Sequence, residues 1–290
     1  MQTTKTRFPI SLLLIGLLVQ SLNLHGEWRL VWRDEFDGAS INTNKWTFDV
    51  GNGGPILPGW GNNEKQFYTS RPENAQVRNG LLHIIARKEA TNGFDYTSAR
   101  LKTKGLFAQT GGRFEFRAKA PVGLGFWSAL WMLPEDSAYG SWAASGEIDV
   151  MEAKGAVTNK VFGTIHFGGH WPKNVQSGDS FKFAKDDAIS EFHVYRLDWT
   201  TNAIEWFVDG ASYQKQTNWW SAGGPFPAPF DQPFYILMNL AVGGNYLENP
   251  DTNAINARTK FPGELQIDCV RVYENVESSP ATTLKPEKME

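Results

Sequence analysis

The sequence predicts an all-β fold, an antiparallel sandwich or barrel. Three observations carry this: apolar and polar residues alternate with period two in most segments, 28 Gly and 15 Pro divide the chain into short runs, and almost nothing repeats with helical period. The 290 residues are 41% hydrophobic and 13% aromatic, enough for a sizeable core in one large β domain or two small ones.

At the start of the chain, Lys5 and Arg7 precede an apolar run from Ile10 to Val19. This order suits a secretory signal, and the run is too short to cross a bilayer. We therefore expect a signal peptide over 1–21, cut after Ser21 or as late as Gly26, and a secreted product. The body should extend over 26–273 as one domain, without internal repeats.

Within it, "GRFEFRAKA" sets Phe114, Phe116 and Ala118 against Arg113, Glu115, Arg117 and Lys119, the pattern of a half-buried strand. In "VYRLDWTTNAIEWFVDGASY", a Thr-Asn turn separates two such runs, and Asp209-Gly210 closes a second, short hairpin. Only "FAKDDAISEF" has room for a brief helical turn. In "LQIDCVRVYE", Cys269 is expected to share a strand face with Leu265, Ile267 and Tyr273 as a small core residue, and a single cysteine excludes an intramolecular disulfide. From Glu274 the chain turns polar and Pro-containing, so 274–290 reads as a disordered tail.

Lys+Arg 28 against Asp+Glu 31 gives a net charge of -3. That balance offers no electrostatic grip on nucleic acid or on an anionic membrane, and it favours a neutral ligand.

The segment that demands a function is "ASGEIDVMEAKG". On a strand Glu147 and Asp149 share a face while Ile148 and Val150 point to the core. Glu152 then falls on the apolar side unless a β-bulge near Val150-Met151 absorbs one residue. With the bulge, all three acids line one face and Met151 is left to pack. Three adjacent carboxylates repel and raise at least one pKa. Glycoside cleavage uses that effect, because one carboxyl must stay protonated to donate to the leaving oxygen while another stays ionised. A solvent-facing acidic strand or a carboxylate metal cluster has the same letters, so the pattern alone leaves these open.

The surroundings favour sugar. Trp142 lies five residues before Glu147, and Trp127 and Trp131 share a face of the strand in "FWSALWML". Indoles stack on the C–H faces of sugar rings, so acids among tryptophans read as a saccharide cleft, although any single Trp is as readily core.

These residues resemble glycoside hydrolase family 16, and within it the bacterial laminarinase-like endo-β-1,3-glucanases. "SGEIDVMEAKG" is similar to the bulged catalytic strand of that family, and "LVWRDEFDG", "GWGNNEKQFYT", "YTSARLKTKG", "FGTIHFGG" and "QPFYILMNLAVGG" extend the resemblance from about Trp28 to Tyr273.

The resemblance implies a concanavalin-like β-jelly roll of two curved antiparallel sheets with a concave substrate cleft. It makes Glu147 the nucleophile, Glu152 the acid/base and Asp149 the residue between them that tunes protonation. Retention then requires the two carboxyls about 5 to 5.5 Å apart. It further implies sugar contacts from Asn62, Arg100 and His166, although by residue type alone these could be a turn-capping Asn, a solvated Arg and a core His. It also implies a structural calcium held by Glu35, the backbone of Gly80 and Asp268, with no cofactor for catalysis.

The expected protein is thus a secreted monomer that hydrolyses β-1,3-glucan, with mixed-linkage β-1,3-1,4-glucan as a second substrate. The alternatives are a non-catalytic glucan-binding protein, a galactan hydrolase and a transglycosylase.

Overall fold

The computed structural model describes residues 27–186 and 188–276, and the expected signal over 1–21 lies outside the described residues. Residues Trp28–Asn275 form one compact unit. Among the described residues the strands are, in chain order, β1 (Glu27–Asp34), β2 (Thr47–Asp49), β3 (Gln66–Tyr68), β4 (Ala75–Arg78), β5 (Leu81–Thr91), β6 (Phe94–Ser98), β7 (Arg100–Lys102), β8 (Gly112–Lys119) and β9 (Phe126–Pro134). They continue with β10 (Glu147–Lys154), β11 (Lys160–Gly168), β12 (Asn174–Lys182), β13 (His193–Thr200), β14 (Ala203–Val208), β15 (Ala211–Gln216), β16 (Phe234–Val242) and β17 (Gly263–Val276).

These strands form two sheets, as the jelly roll requires. The front sheet has the order β12-β11-β10-β9-β16-β7-β2. The back sheet runs β15-β14-β13-β8-β17-β5-β6-β3, with β1 added on β17 and β4 on β5. Neighbours in the front sheet are antiparallel, which places β10 in mid-sheet with β9 on one side and β11 on the other.

Period two in the sequence becomes burial in the structure. Phe114, Phe116 and Ala118 of β8 are completely buried, and they pack with Leu197, Trp206, Leu130, Met132, Ile148 and Ile165 in one core between the sheets. Each such side chain contributes about 1.5–3 kcal/mol when removed from water. The hairpin predicted at Asp209-Gly210 joins β14 to β15, with both residues at positive φ (49° and 84°), as a two-residue turn of the primed kind requires. The helical turn expected in "FAKDDAISEF" is a single 3-10 turn, Ala188–Ser190.

Three expectations change. Glu274–Val276 belong to β17 rather than to a tail, and 277–290 lie outside the described residues. The extension has a partner in β1, which pairs with β17 and from which Arg29 ion-pairs Glu274. Cys269 is buried as expected, but the register on β8 shifts between Ile267 and Cys269, so Val270 and Val272 take over the core face and Tyr273 turns away from it. A two-residue period cannot see such a bulge. Finally, Thr252–Arg258 is an α-helix (α1), capped by the Asp251 side chain, which accepts from the Ala254 amide at 2.8 Å. With Ile255 its only buried side chain, it shows no helical period.

Candidate active site

The three acids lie on β10, and the bulge required by the sequence is present. Pairing with β9 shifts between Asp149 and Met151, and pairing with β11 shifts between Asp149 and Glu152. Ile148, Val150 and Met151 are buried in the core, whereas Glu147, Asp149 and Glu152 share the opposite face. All three acids are largely shielded from water: the Asp149 side chain is 5% exposed and the Glu147 side chain 15%.

Each outer acid is held by an indole. Trp142 Nε1 donates to Glu147 Oε2 at 2.8 Å, and Trp127 Nε1 donates to Glu152 Oε1 at 2.9 Å. The tryptophans predicted as sugar platforms thus also fix the carboxylates. His166 lies opposite Glu147 on β11, with Nε2 3.2 Å from Asp149 Oδ2 and 3.6 Å from Glu147 Oε1. It is not a core histidine but a cation facing the acids.

These environments differ in charge preference. Burial and the neighbouring Asp149 push Glu147 up to about 7, while His166, the Trp142 hydrogen bond and Arg100 restrain it. Burial and Asp149 push Glu152 well above the ordinary carboxylate range, with His166 and Trp127 opposing. Burial alone would neutralise His166, but its contact with Asp149 and the charges of Glu147, Asp149 and Glu152 outweigh that and raise it to about 9. Glu147, Asp149 and His166 also form the one set among the described residues whose side chains converge closely enough to bind a metal ion.

Arg100, on β7, is buried rather than solvated, with its guanidinium between two indoles, 4.5 Å from Trp60 and 4.7 Å from Trp131. Its Nε lies 3.0 Å from Asp49 Oδ2. Trp131 Nε1 donates to Asn239 Oδ1 (2.8 Å), Asn239 donates to the Tyr68 hydroxyl (3.1 Å), and Tyr68 donates to Glu64 (3.0 Å). This buried chain fixes Trp131 from below. The backbone carbonyl of Asn62 accepts from the Asn245 amide at 2.7 Å, next to Gly244, which lies against the Trp127 ring. Trp142, Trp127 and His166 thus lie against the acids of β10, Arg100 lies against Trp131, and Asn62 is joined to the Trp127 neighbourhood through its backbone carbonyl.

Sequence reasoning missed several neighbours. Trp60 clamps Arg100, and its Nε1 is buried without a hydrogen bond among the described residues, as is His166 Nδ1. Tyr246 stacks on Trp127 with ring centroids 4.8 Å apart, and burial together with the charges of Glu152 and Asp149 pushes its hydroxyl pKa up. Trp171 is 70% exposed and Trp220 48%; the Trp171 amide donates to the Trp142 carbonyl at 2.9 Å. Trp171 and Trp220 carry no signal in the sequence, because their exposure is not readable there.

The expected calcium ligands carry ion pairs. Both carboxylate oxygens of Glu35 accept from Arg271 at 2.8 Å, and Asp268 pairs with Arg117 at 3.1 Å. Gly80 occupies the β4–β5 turn at φ 73°.

Comparison with known proteins agrees with this geometry. The family model for glycosyl hydrolases family 16 matches residues 62–260. The chain is 45% identical over 260 residues to a glucan endo-1,3-beta-glucosidase A1 from Niallia circulans, covering 84% of this chain and 38% of that protein. It is 42% identical to a beta-glucanase from Rhodothermus marinus, covering 86% of each. The crystal structure of the laminarinase from Rhodothermus marinus superposes with a TM-score of 0.74 at 41% identity, over 87% of this chain and 100% of that one.

Proposed function

The chain belongs to glycosyl hydrolases family 16, and on that premise we propose that it is an endo-acting β-1,3-glucanase of laminarinase type that retains anomeric configuration. Mixed-linkage β-1,3-1,4-glucan is its second substrate. The observation that carries the proposal is the bulge in β10. It puts Glu147 and Glu152 on one face, each with its own indole donor, with Asp149 between them and His166 across from Glu147.

In the first step Glu147, ionised, attacks the anomeric carbon while Glu152 gives its proton to the departing glycosidic oxygen. The bond from C1 to that oxygen breaks, and a bond from C1 to Glu147 forms. In the second step Glu152, now ionised, takes a proton from water, whose oxygen displaces Glu147 from C1. The stronger upward push on Glu152 suits the proton donor, and the nearby His166 cation favours the charged form of Glu147.

Arg100 and Trp131 form one wall for the sugar, and the exposed Trp142 offers a stacking surface beside Glu147. The reaction uses no cofactor, and the reading includes export through the 1–21 signal and a monomeric enzyme. Among the described residues no helix is long and apolar enough to cross a membrane.

The test is chromatography of products from laminarin and, separately, barley mixed-linkage glucan, with Glu147→Gln as control. A ladder of oligosaccharides that the control lacks supports the reading. Intact polymer in both incubations, with binding preserved, refutes it.

A further inference from the structure

A bulge releases backbone groups from the ladder on both sides, and in mid-sheet those groups need other partners. Here Val150 and Met151 together face the single residue Gly163 of β11. The carbonyl of Asp149 accepts from Trp206 Nε1 at 2.8 Å, and the carbonyl of Gly163 accepts from Gln214 Nε2 at 2.8 Å. Both donors come from the back sheet, across the core: Trp206 on β14 is wholly buried and is paired in register with Gln214 on β15. The amide of Gln214 is itself oriented, because its Oε1 accepts from Gln216 at 3.4 Å. Gly163 supplies the room, since a Cβ there would lie 2.5 Å from the Trp206 ring and 2.7 Å from Gln214 Nε2.

We infer that Trp206, Gln214 and Gly163 form a clamp that holds the β10 bulge and so sets the register of Glu152 against Glu147. None of the three faces the cleft, so they are positioning residues. The reason the clamp matters is geometric. If β10 paired without the bulge, Glu152 would turn into the core and Met151 into the cleft. Hydrogen bonds that fit only the bulged backbone therefore select the arrangement in which both glutamates face the sugar. A small misplacement of such groups is enough to cost a large factor in rate.

The inference deepens the glucanase reading and, for its kinetic arm, rests on it. Trp206→Phe keeps most of the ring and removes the donor; Gln214→Leu does the same for the amide. Val208→Ala, on the same strand with its side chain in the core but away from the bulge, controls for lost stability. On laminarin we expect kcat in each clamp variant to fall at least about tenfold with KM within about twofold, and the alkaline limb of the kcat–pH profile to move as Glu152 shifts. Val208→Ala should keep kcat despite a lowered melting temperature. Clamp variants with kcat within about twofold of Val208→Ala would overturn the inference. Hydrogen exchange of amides 150–152, measured without substrate, separates this from failure of the functional reading. Should the wild-type chain cleave no glucan, faster exchange in the clamp variants than in Val208→Ala supports the clamp, and equal exchange overturns it.

Discussion

Trp142 Nε1 donates a 2.8 Å hydrogen bond to Oε2 of Glu147, so the residue proposed to stack on the sugar also orients the proposed nucleophile. Glu147→Gln keeps an acceptor oxygen and the side-chain volume while it removes the charge. We expect hydrolysis of laminarin to fall by more than about a thousandfold. Laminarin binding, read by calorimetry or affinity electrophoresis, should persist. Turnover near that of the wild type would remove Glu147 from the mechanism.

In the proposed mechanism Glu152 acts through its proton, and the need for that proton depends on the leaving group. Glu152→Ala is expected to lose most activity on glucan yet retain far more on an aryl β-glucoside oligomer with an acidic phenol, which leaves without protonation. Equal losses on the two substrates would contradict the acid role. Proton NMR of the first products should show the β-anomer, as double displacement requires.

Stability should fall as pH rises across the range set by this site. Glu147 has its pKa raised from 4.5 to about 7, so the native state binds protons that the unfolded state releases above 4.5. Its stabilisation is present below pH 4.5 and is lost as pH rises through about 7. His166, raised from 6.5 to about 9, behaves alike, with its contribution complete below 6.5 and lost as pH rises through about 9. Melting curves of His166→Gln should therefore show a shallower decline between pH 6.5 and 9 than the wild type. An unchanged slope would mean that His166 carries no extra proton in the folded state. For activity, the acid limb of kcat/KM should rise through about pH 7 as Glu147 ionises.

Arg100 fills the space between Trp60 and Trp131 with a flat cation, which a lysine cannot imitate. Arg100→Lys keeps the charge and loses the stack, and we expect KM for laminarin to rise about tenfold, equivalent to about 1.4 kcal/mol. A larger fall in kcat than in affinity would instead assign Arg100 to the transition state.

Glu35 and Asp268 are occupied by Arg271 and Arg117. Millimolar calcium or a chelator should accordingly leave the melting temperature within about 1 °C. A chelator-sensitive melt, with calcium found by metal analysis, would show that these arginines give way to the ion.

The bulged strand β10 was legible because two periodicities conflicted in it. Glu147 and Asp149 obeyed the strand rhythm and Glu152 broke it, and only an inserted residue reconciles a charge at that offset with an apolar core. The same logic failed at Cys269, where the extra residue is Asp268 and the shift leaves Cys269 and Val270 both buried without putting a charge in the core, so no conflict shows. The helix Thr252–Arg258 was missed for a related reason, since one buried residue makes no pattern. Arg100 and His166 were found through the family resemblance, whereas Tyr246, Trp171 and the clamp residues had no such guide.

By itself the sequence determined the strand pattern, the bulge, the acids and the absence of charge for a nucleic-acid partner, because each follows from neighbours along the chain. The tertiary structure decided what surrounds those acids. Trp142 beside Glu147, Trp127 and Tyr246 beside Glu152, Arg100 between two indoles and Trp206 behind Asp149 join segments far apart in sequence. The pKa of a buried carboxyl depends on burial and on charges within a few ångströms, and those distances exist only once the two sheets have closed on one another.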